Sequence, residues 1–235
     1  MLDFRRAAAH TAQLMTAQVK ICGLTTPDAI DAAAGAGAVY GGLVFHPKSP
    51  RFVALDEARA LAERMRGRLI SVALITDMDD AGIAALVKTV APEFLQLHGS
   101  ETVQRTAEIR ARFGLPVIKA LPVGEAADLA GAADYEKVAD MLMFDARPPK
   151  GAERPGGHGA AFDWKILSDR SFRKPWFLAG GLEPENVARA IMLSGAELVD
   201  VSSGVESATG VKDSARILAF INATRFHASL SQQSA

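Results

Sequence analysis

Apolar residues fall along the chain in two alternating patterns. Eight short runs have the length and make-up of strands: QVKICG (18–23), AVYGGLVF (38–45), LISVALIT (69–76), EFLQLHG (93–99), LPVIKALP (115–122), MLMFDA (141–146), PWFLAGG (175–181) and LVDVSSG (198–204). Between them lie stretches rich in Ala, Leu, Glu and Arg with apolar residues at helical spacing, such as ALDEARALAERMRG (54–67), DDAGIAALVKTV (79–90), SETVQRTAEIRARFG (100–114) and DSARILAFINATR (213–225). Pro27 and Pro184 suit first helical turns, Ser100 and Asp213 suit N-caps, and Gly37, Gly67, Gly114 and Gly195 fall where helices should stop. Strands alternating with helices call for a parallel sheet with right-handed crossovers. Eight such units predict an α/β fold of one domain, a single (β/α)8 TIM barrel with its active site at the C-terminal mouth.

Side chains alternate along a strand, and in such a barrel the outer face meets helices while the inner face near the mouth carries polar groups. The first run then points Val19 and Ile21 outward and Lys20 and Cys22 inward. By the same parity Gln96 and His98, Met143 and Asp145, and Asp200 and Ser202 face the interior. Gathering a lysine, a thiol, a glutamine, a histidine and two aspartates there is too costly for a purely structural core, so a catalytic pocket is expected. Lys20 and Asp200 also have a purely structural reading, as an ion pair within the barrel.

The chain of 235 residues and 24.9 kDa matches one barrel, which takes about 250 residues. Lys plus Arg number 26 against 27 for Asp plus Glu, a formal net charge of −1, which removes the global electrostatic case for nucleic acid or an anionic membrane as partner. A local anion site stays open. No apolar stretch reaches the roughly 18 residues of a membrane helix. The one cysteine, Cys22, excludes an intramolecular disulfide and a multi-thiolate metal site and makes a reducing cytoplasm the default setting. Residues 1–18 read as an N-terminal extension, flexible or a short helix, 19–225 as the catalytic barrel and 226–235 as a disordered tail. Met15, just before the first strand, is an alternative start.

Phosphate sites in barrels use backbone N–H groups of the loops after the seventh and eighth strands. Here those loops read Gly180-Gly181-Leu182 and Ser202-Ser203-Gly204-Val205. A third glycine cluster, Gly156-Gly157-His158-Gly159, lies in the run ARPPKGAERPGGHGAAFDW (146–164), whose length and Pro/Gly content suit a mobile lid. In HPKSPR (46–51), Lys48 and Arg51 stand where a planar carboxylate can be clamped.

Seven blocks, VKICGLT (19–25), FHPKSPRFV (45–53), LQLHGSE (95–101), FDA (144–146), GGHG with the following FDW (156–164), LAGGLEPENV (178–187) and DVSSGVESATGVKD (200–213), together resemble the phosphoribosylanthranilate isomerase family of tryptophan biosynthesis. The resemblance spans about 19–225. It implies isomerisation of N-(5'-phosphoribosyl)anthranilate to 1-(2-carboxyphenylamino)-1-deoxyribulose 5-phosphate, an acid/base Amadori rearrangement with no cofactor and no metal, in a cytoplasmic monomer or homodimer. By the same resemblance Cys22 is the general base and Asp145 the general acid, and Arg51 holds the anthranilate carboxylate. Gly157, Gly180, Gly181, Asp200, Ser203 and Gly204 contact the phosphorylated substrate, and His98 touches the ring or stands behind the contacting residues rather than carrying the proton. The third strand lacks the aromatic residue usual near its end, and His158 replaces a small residue in the glycine loop. Two other readings stay open: an isomerase of another aminoaldose phosphate, which would use an aspartate pair, and a noncatalytic phosphate-ligand sensor, which would lack one proton carrier.

Overall fold

The computed structural model describes residues 13–147, 162–168 and 170–228. The eight expected strands all form: β1 (Gln18–Cys22), β2 (Tyr40–Val44), β3 (Ile70–Ile75), β4 (Phe94–Leu97), β5 (Val117–Val123), β6 (Met141–Ala146), β7 (Trp176–Leu178) and β8 (Leu198–Val201). All pairings are parallel, in chain order, and the barrel closes where β1 pairs with β8, setting Lys20 opposite Asp200. Helices α1 (Pro27–Ala36), α2 (Leu55–Met65), α3 (Asp80–Val90), α4 (Val103–Phe113), α6 (Val187–Ser194) and α7 (Ser214–Ala223) follow the strands, with the single turn α5 (Ala132–Tyr135) after β5.

Two units depart from the regular alternation. After β5 a 3-10 segment, Ala126–Gly131, leads into the one-turn α5, and among the described residues the connection after β6 carries only the 3-10 turn Trp164–Leu167. Helix ends follow local chemistry. Gly37, Gly114 and Gly195 cap α1, α4 and α6 in the left-handed conformation. Asp213 caps α7 through the N–H groups of Ala215 and Arg216, but Ser100 does not cap α4. Thr102 takes that place, accepting from the Arg105 N–H, while the Ser100 hydroxyl donates to Asp77. Pro184 lies in the turn before α6 rather than in its first helical turn.

The strand parity holds. Val19, Ile21, Leu142, Phe144, Val199 and Val201 belong to the outer apolar layer with the helices, where Phe144 packs on Phe172 and Trp176 at 4.6 and 5.5 Å between ring centres. Inside, Tyr40, Val72, Ile118, Met143 and Phe177 form a separate apolar cluster. Tyr40 meets Phe177 and Phe94 edge-on at 5.2 and 6.2 Å. This cluster fills the N-terminal part of the barrel, with Lys20 in register with Tyr40 and Gln96 in register with Ile118 at its edge, and Cys22, His98 and Asp145 lie further along the strands toward the mouth.

Outside the barrel, Gln13–Thr16 pairs antiparallel with Arg225–Ala228. The last residues of the expected extension and the first of the expected tail are thus strand, not helix or disordered chain. Residues 1–12, the tail beyond Ala228, and the expected lid with Gly157 lie outside the described residues. No helix among those described is long and apolar enough to cross a membrane.

Candidate active site

Three groups of side chains meet at the C-terminal mouth. On β1, Lys20 is fully buried and its Nζ donates to Asp200 Oδ1 at 2.7 Å. Cys22 lies one pleat higher with Val44 and Leu74 about it, and Gly42 on β2 leaves room beside both Lys20 Nζ and Cys22 Sγ. Burial opposes the charge of Lys20, but Asp200 and Cys22 outweigh it and hold its proton more firmly than in water. Burial also dominates at Cys22 and pushes the thiol up; Lys20 pulls it down, but Asp200 works against Lys20. The structural pairing of Lys20 with Asp200 is therefore real, and it mutes the lysine's field on the thiol.

The second group joins β4 to β6. Gln96 Nε2 lies 2.8 Å from His98 Nδ1, and His98 Nε2 lies 3.0 Å from Asp145 Oδ2. The segment bearing His98 is fastened from outside the barrel, where Lys119 of β5 donates to Glu101 Oε2 at 2.6 Å and to the Gly99 carbonyl at 2.7 Å. Glu101 in turn accepts from the Asp77 and Gly99 N–H groups. This is an exception to the apolar outer face, and it is buried with both Glu101 carboxylate oxygens paired.

The third group includes residues to which the sequence reading gave no role. After β8 the chain forms a small antiparallel hairpin, Glu206–Ala208 with Val211–Lys212, turning at Gly210. Glu206 receives both arms of the Arg51 fork, Nε at 2.6 Å and Nη2 at 2.8 Å, and Lys212 Nζ at 2.7 Å. Burial alone would raise the Glu206 carboxyl, but Arg51 and Lys212 prevail and hold it at about 2. Burial lowers Lys212, whose Nζ also donates to the Ser202 carbonyl at 2.9 Å. The fork that sequence reasoning reserved for a substrate carboxylate is thus engaged with Glu206, leaving Nη1 out of the pair, and Lys48 is exposed rather than joined to the buried Arg51. The signal for Glu206 and Lys212 was their place in DVSSGVESATGVKD, two charges flanking a glycine turn.

The two glycine loops lie against each other. Gly180 and Gly181 have φ of 88° and 63°, and Ser203 and Gly204 open a 3-10 turn after β8. A Cβ on Gly204 would overlap the Leu182 carbonyl oxygen, and one on Gly180 would strike the backbone of Ala146, so glycine is what allows both close approaches. Asn186 fixes the first loop by donating to the Gly181 carbonyl at 2.8 Å.

A closed eight-stranded barrel with a thiol, a carboxyl group, a histidine and a glycine-loop pair at the C-terminal ends of its strands has the architecture of a single-domain (β/α)8 enzyme. Residues 19–223 match the family model described as N-(5'phosphoribosyl)anthranilate (PRA) isomerase. The chain is 54% identical over 211 residues to the N-(5'-phosphoribosyl)anthranilate isomerase of Paramagnetospirillum magneticum, covering 90% of this chain and 98% of that one. It is 51% identical over 208 residues to that of Cereibacter sphaeroides, with 88% and 98% covered. Among solved structures it resembles phosphoribosyl anthranilate isomerase from Thermotoga maritima, with a TM-score of 0.80 and 32% identity over 88% of this chain and 98% of that one. A phosphoribosyl anthranilate isomerase in complex with reduced 1-(o-carboxyphenylamino)-1-deoxyribulose 5-phosphate gives a TM-score of 0.76 at the same identity and coverage. The chain belongs to the N-(5'-phosphoribosyl)anthranilate isomerase family.

Proposed function

We propose that this chain converts N-(5'-phosphoribosyl)anthranilate to 1-(2-carboxyphenylamino)-1-deoxyribulose 5-phosphate, with Asp145 as general acid and Cys22 as general base. The observation that carries the assignment of roles is that these two groups, on β6 and β1, both occupy inward-facing positions at the mouth of a barrel whose other half is filled by apolar side chains. Family membership supports the reaction, and the related structure holding the reduced product supports the substrate class.

Asp145 gives its proton to the furanose ring oxygen as the C1'–O bond breaks, and the nitrogen lone pair forms the C1'=N bond of an iminium ion. Cys22 then takes the C2' proton, the electrons close C1'=C2', and nitrogen regains its lone pair. The enaminol then tautomerises, its C2' hydroxyl proton leaving to water as C1' takes one from water, and exchange with water returns Cys22 and Asp145 to their starting protonation states. The iminium places a positive charge beside a thiol that burial otherwise keeps protonated, which favours the thiolate when it is needed. The loops at Gly180-Gly181 and Ser203-Gly204 receive the phosphate through backbone N–H groups. Arg51, held in place by Glu206, offers Nη1 to the anthranilate carboxylate, and Asp200 holds Lys20. No metal or cofactor takes part. The enzyme works in the cytoplasm as a monomer or a homodimer; a related structure describes monomers generated from the dimeric Thermotoga maritima protein.

The test follows the fluorescence of the anthranilate ring after phosphoribosylanthranilate is added to wild type, Cys22→Ser and Asp145→Asn. Wild type turns over and each variant loses about 100-fold or more in kcat, the scale of general acid and base contributions. Undiminished activity in both variants overturns the assignment of roles.

A further inference from the structure

Gln96 is fully buried on β4, and neither proton transfer of the reaction gives it a task. Its amide nitrogen has two acceptors within reach, His98 Nδ1 at 2.8 Å and Met143 Sδ at 3.3 Å, while its oxygen is buried without a partner. We propose that Gln96 is a positioning residue that fixes His98 as the Nε2–H tautomer, so that His98 always donates to Asp145 Oδ2 and the proton delivered to substrate resides on Asp145 Oδ1.

The amide orientation decides the matter. With nitrogen toward His98, both N–H groups have acceptors and one carbonyl oxygen goes unpaired. Turned over, the oxygen would lie against the sulfur of Met143, lone pair to lone pair, and two amide hydrogens would be buried unpaired. An unpaired carbonyl is the better tolerated of these defects, and burying unpaired donors costs about 1–3 kcal/mol each. Gln96 therefore donates, His98 Nδ1 must accept, and the ring proton belongs on Nε2. That proton points at Asp145 Oδ2, 3.0 Å away, which bars Oδ2 from carrying the acidic hydrogen toward the histidine. A charge-assisted hydrogen bond then stabilises the carboxylate left when the proton departs. The inference deepens the reading of Asp145 as the acid and rests on it.

The experiment labels the histidine rings with 15N and records their nitrogen shifts at neutral pH, identifying His98 by the signals lost in His98→Asn. In wild type, Nδ1 should resonate as a bare nitrogen and Nε2 as a protonated one. In Gln96→Glu, a carboxylate replaces the donor, the Nδ1 proton returns, and Nε2 becomes an acceptor that traps the Asp145 proton on Oδ2. In that variant kcat should fall by about 10-fold or more with KM within about twofold of wild type, the split a positioning role for the acid requires. A wild-type proton on Nδ1 overturns the proposal, as does a reversed tautomer in Gln96→Glu with kcat unaltered. Should wild type show the Nε2–H tautomer but no turnover of phosphoribosylanthranilate, the acid role of Asp145 fails while the tautomer assignment stands, so the two failures are distinguishable.

Discussion

Replacing Glu206 by glutamine removes the one anion between two buried cations. The Glu206 side chain is 4% exposed and accepts from Arg51, Lys212 and, at 3.0 Å, the Gly210 N–H. Burial opposes its charge, yet Arg51 and Lys212 hold the carboxyl at about 2 against the ordinary 4.5. At about 1.4 kcal/mol per pH unit, that gap corresponds to about 3 kcal/mol of folding stability. Because the folded-state value is depressed, the contribution is complete above pH 4.5 and is lost as pH falls from there toward 2. By pH 3 the loss should reach about 2 kcal/mol. Urea unfolding followed by circular dichroism at pH 7 and pH 3 tests this. Glu206→Gln does not titrate in the interval, so its stability should fall less than that of wild type by about that amount, other carboxylates being common to both. At pH 7 the variant should be less stable than wild type by about 3 kcal/mol, since Arg51 and Lys212 stay buried with a weaker partner. Parallel losses in the two proteins between pH 7 and pH 3 would refute the reasoning, for they would mean that Glu206 titrates alike folded and unfolded.

Burial raises the Cys22 thiol and Lys20 draws it down, so the rising limb of the kcat/KM profile, which reports the free enzyme, should lie to the alkaline side of an ordinary cysteine. Lys20→Met should move that limb further alkaline, because the lowering influence goes and Asp200, left unpaired, acts in the raising direction; a limb that stays in place would dismiss Lys20 as a source of potential. Gly204→Ala drives a Cβ into the Leu182 carbonyl and so separates the two glycine loops. Steady-state kinetics should show KM up about tenfold, equivalent to about 1.4 kcal/mol of lost binding, with kcat little changed, and an unaltered KM would remove the phosphate from these loops.

Much of the barrel was legible in the chain because its outer wall is uniform in kind. Each strand is covered by helices, so Val19 and Ile21, or Leu142 and Phe144, must be apolar, and the intervening Lys20, Cys22, Met143 and Asp145 are left to face inward. The helices of the fifth and sixth units were not legible in this way, since one-turn and 3-10 segments such as Ala132–Tyr135 and Trp164–Leu167 are too short to display a period. Lys119 ran against the rule altogether: a charge on the outer face is tolerated because Glu101, from the loop after the neighbouring strand, meets it there.

The sequence by itself determined eight βα units, which residues look into the barrel, and the glycine loops at its seventh and eighth strands, because these follow from short-range periodicity and from backbone conformations that only glycine adopts freely. Tertiary structure alone decided the partnerships. Lys20 meets Asp200 across 180 residues because closure sets the first strand beside the last, and Arg51 spends its fork on Glu206, 155 residues away, because the hairpin after β8 folds back over the mouth. His98 and Asp145 likewise meet across strands that are not neighbours in the sheet. Local pattern fixes the face on which a charge sits. Which opposite charge neutralises it depends on competition among all the groups the closed barrel brings within a few ångströms, and a one-dimensional pattern carries no record of that competition.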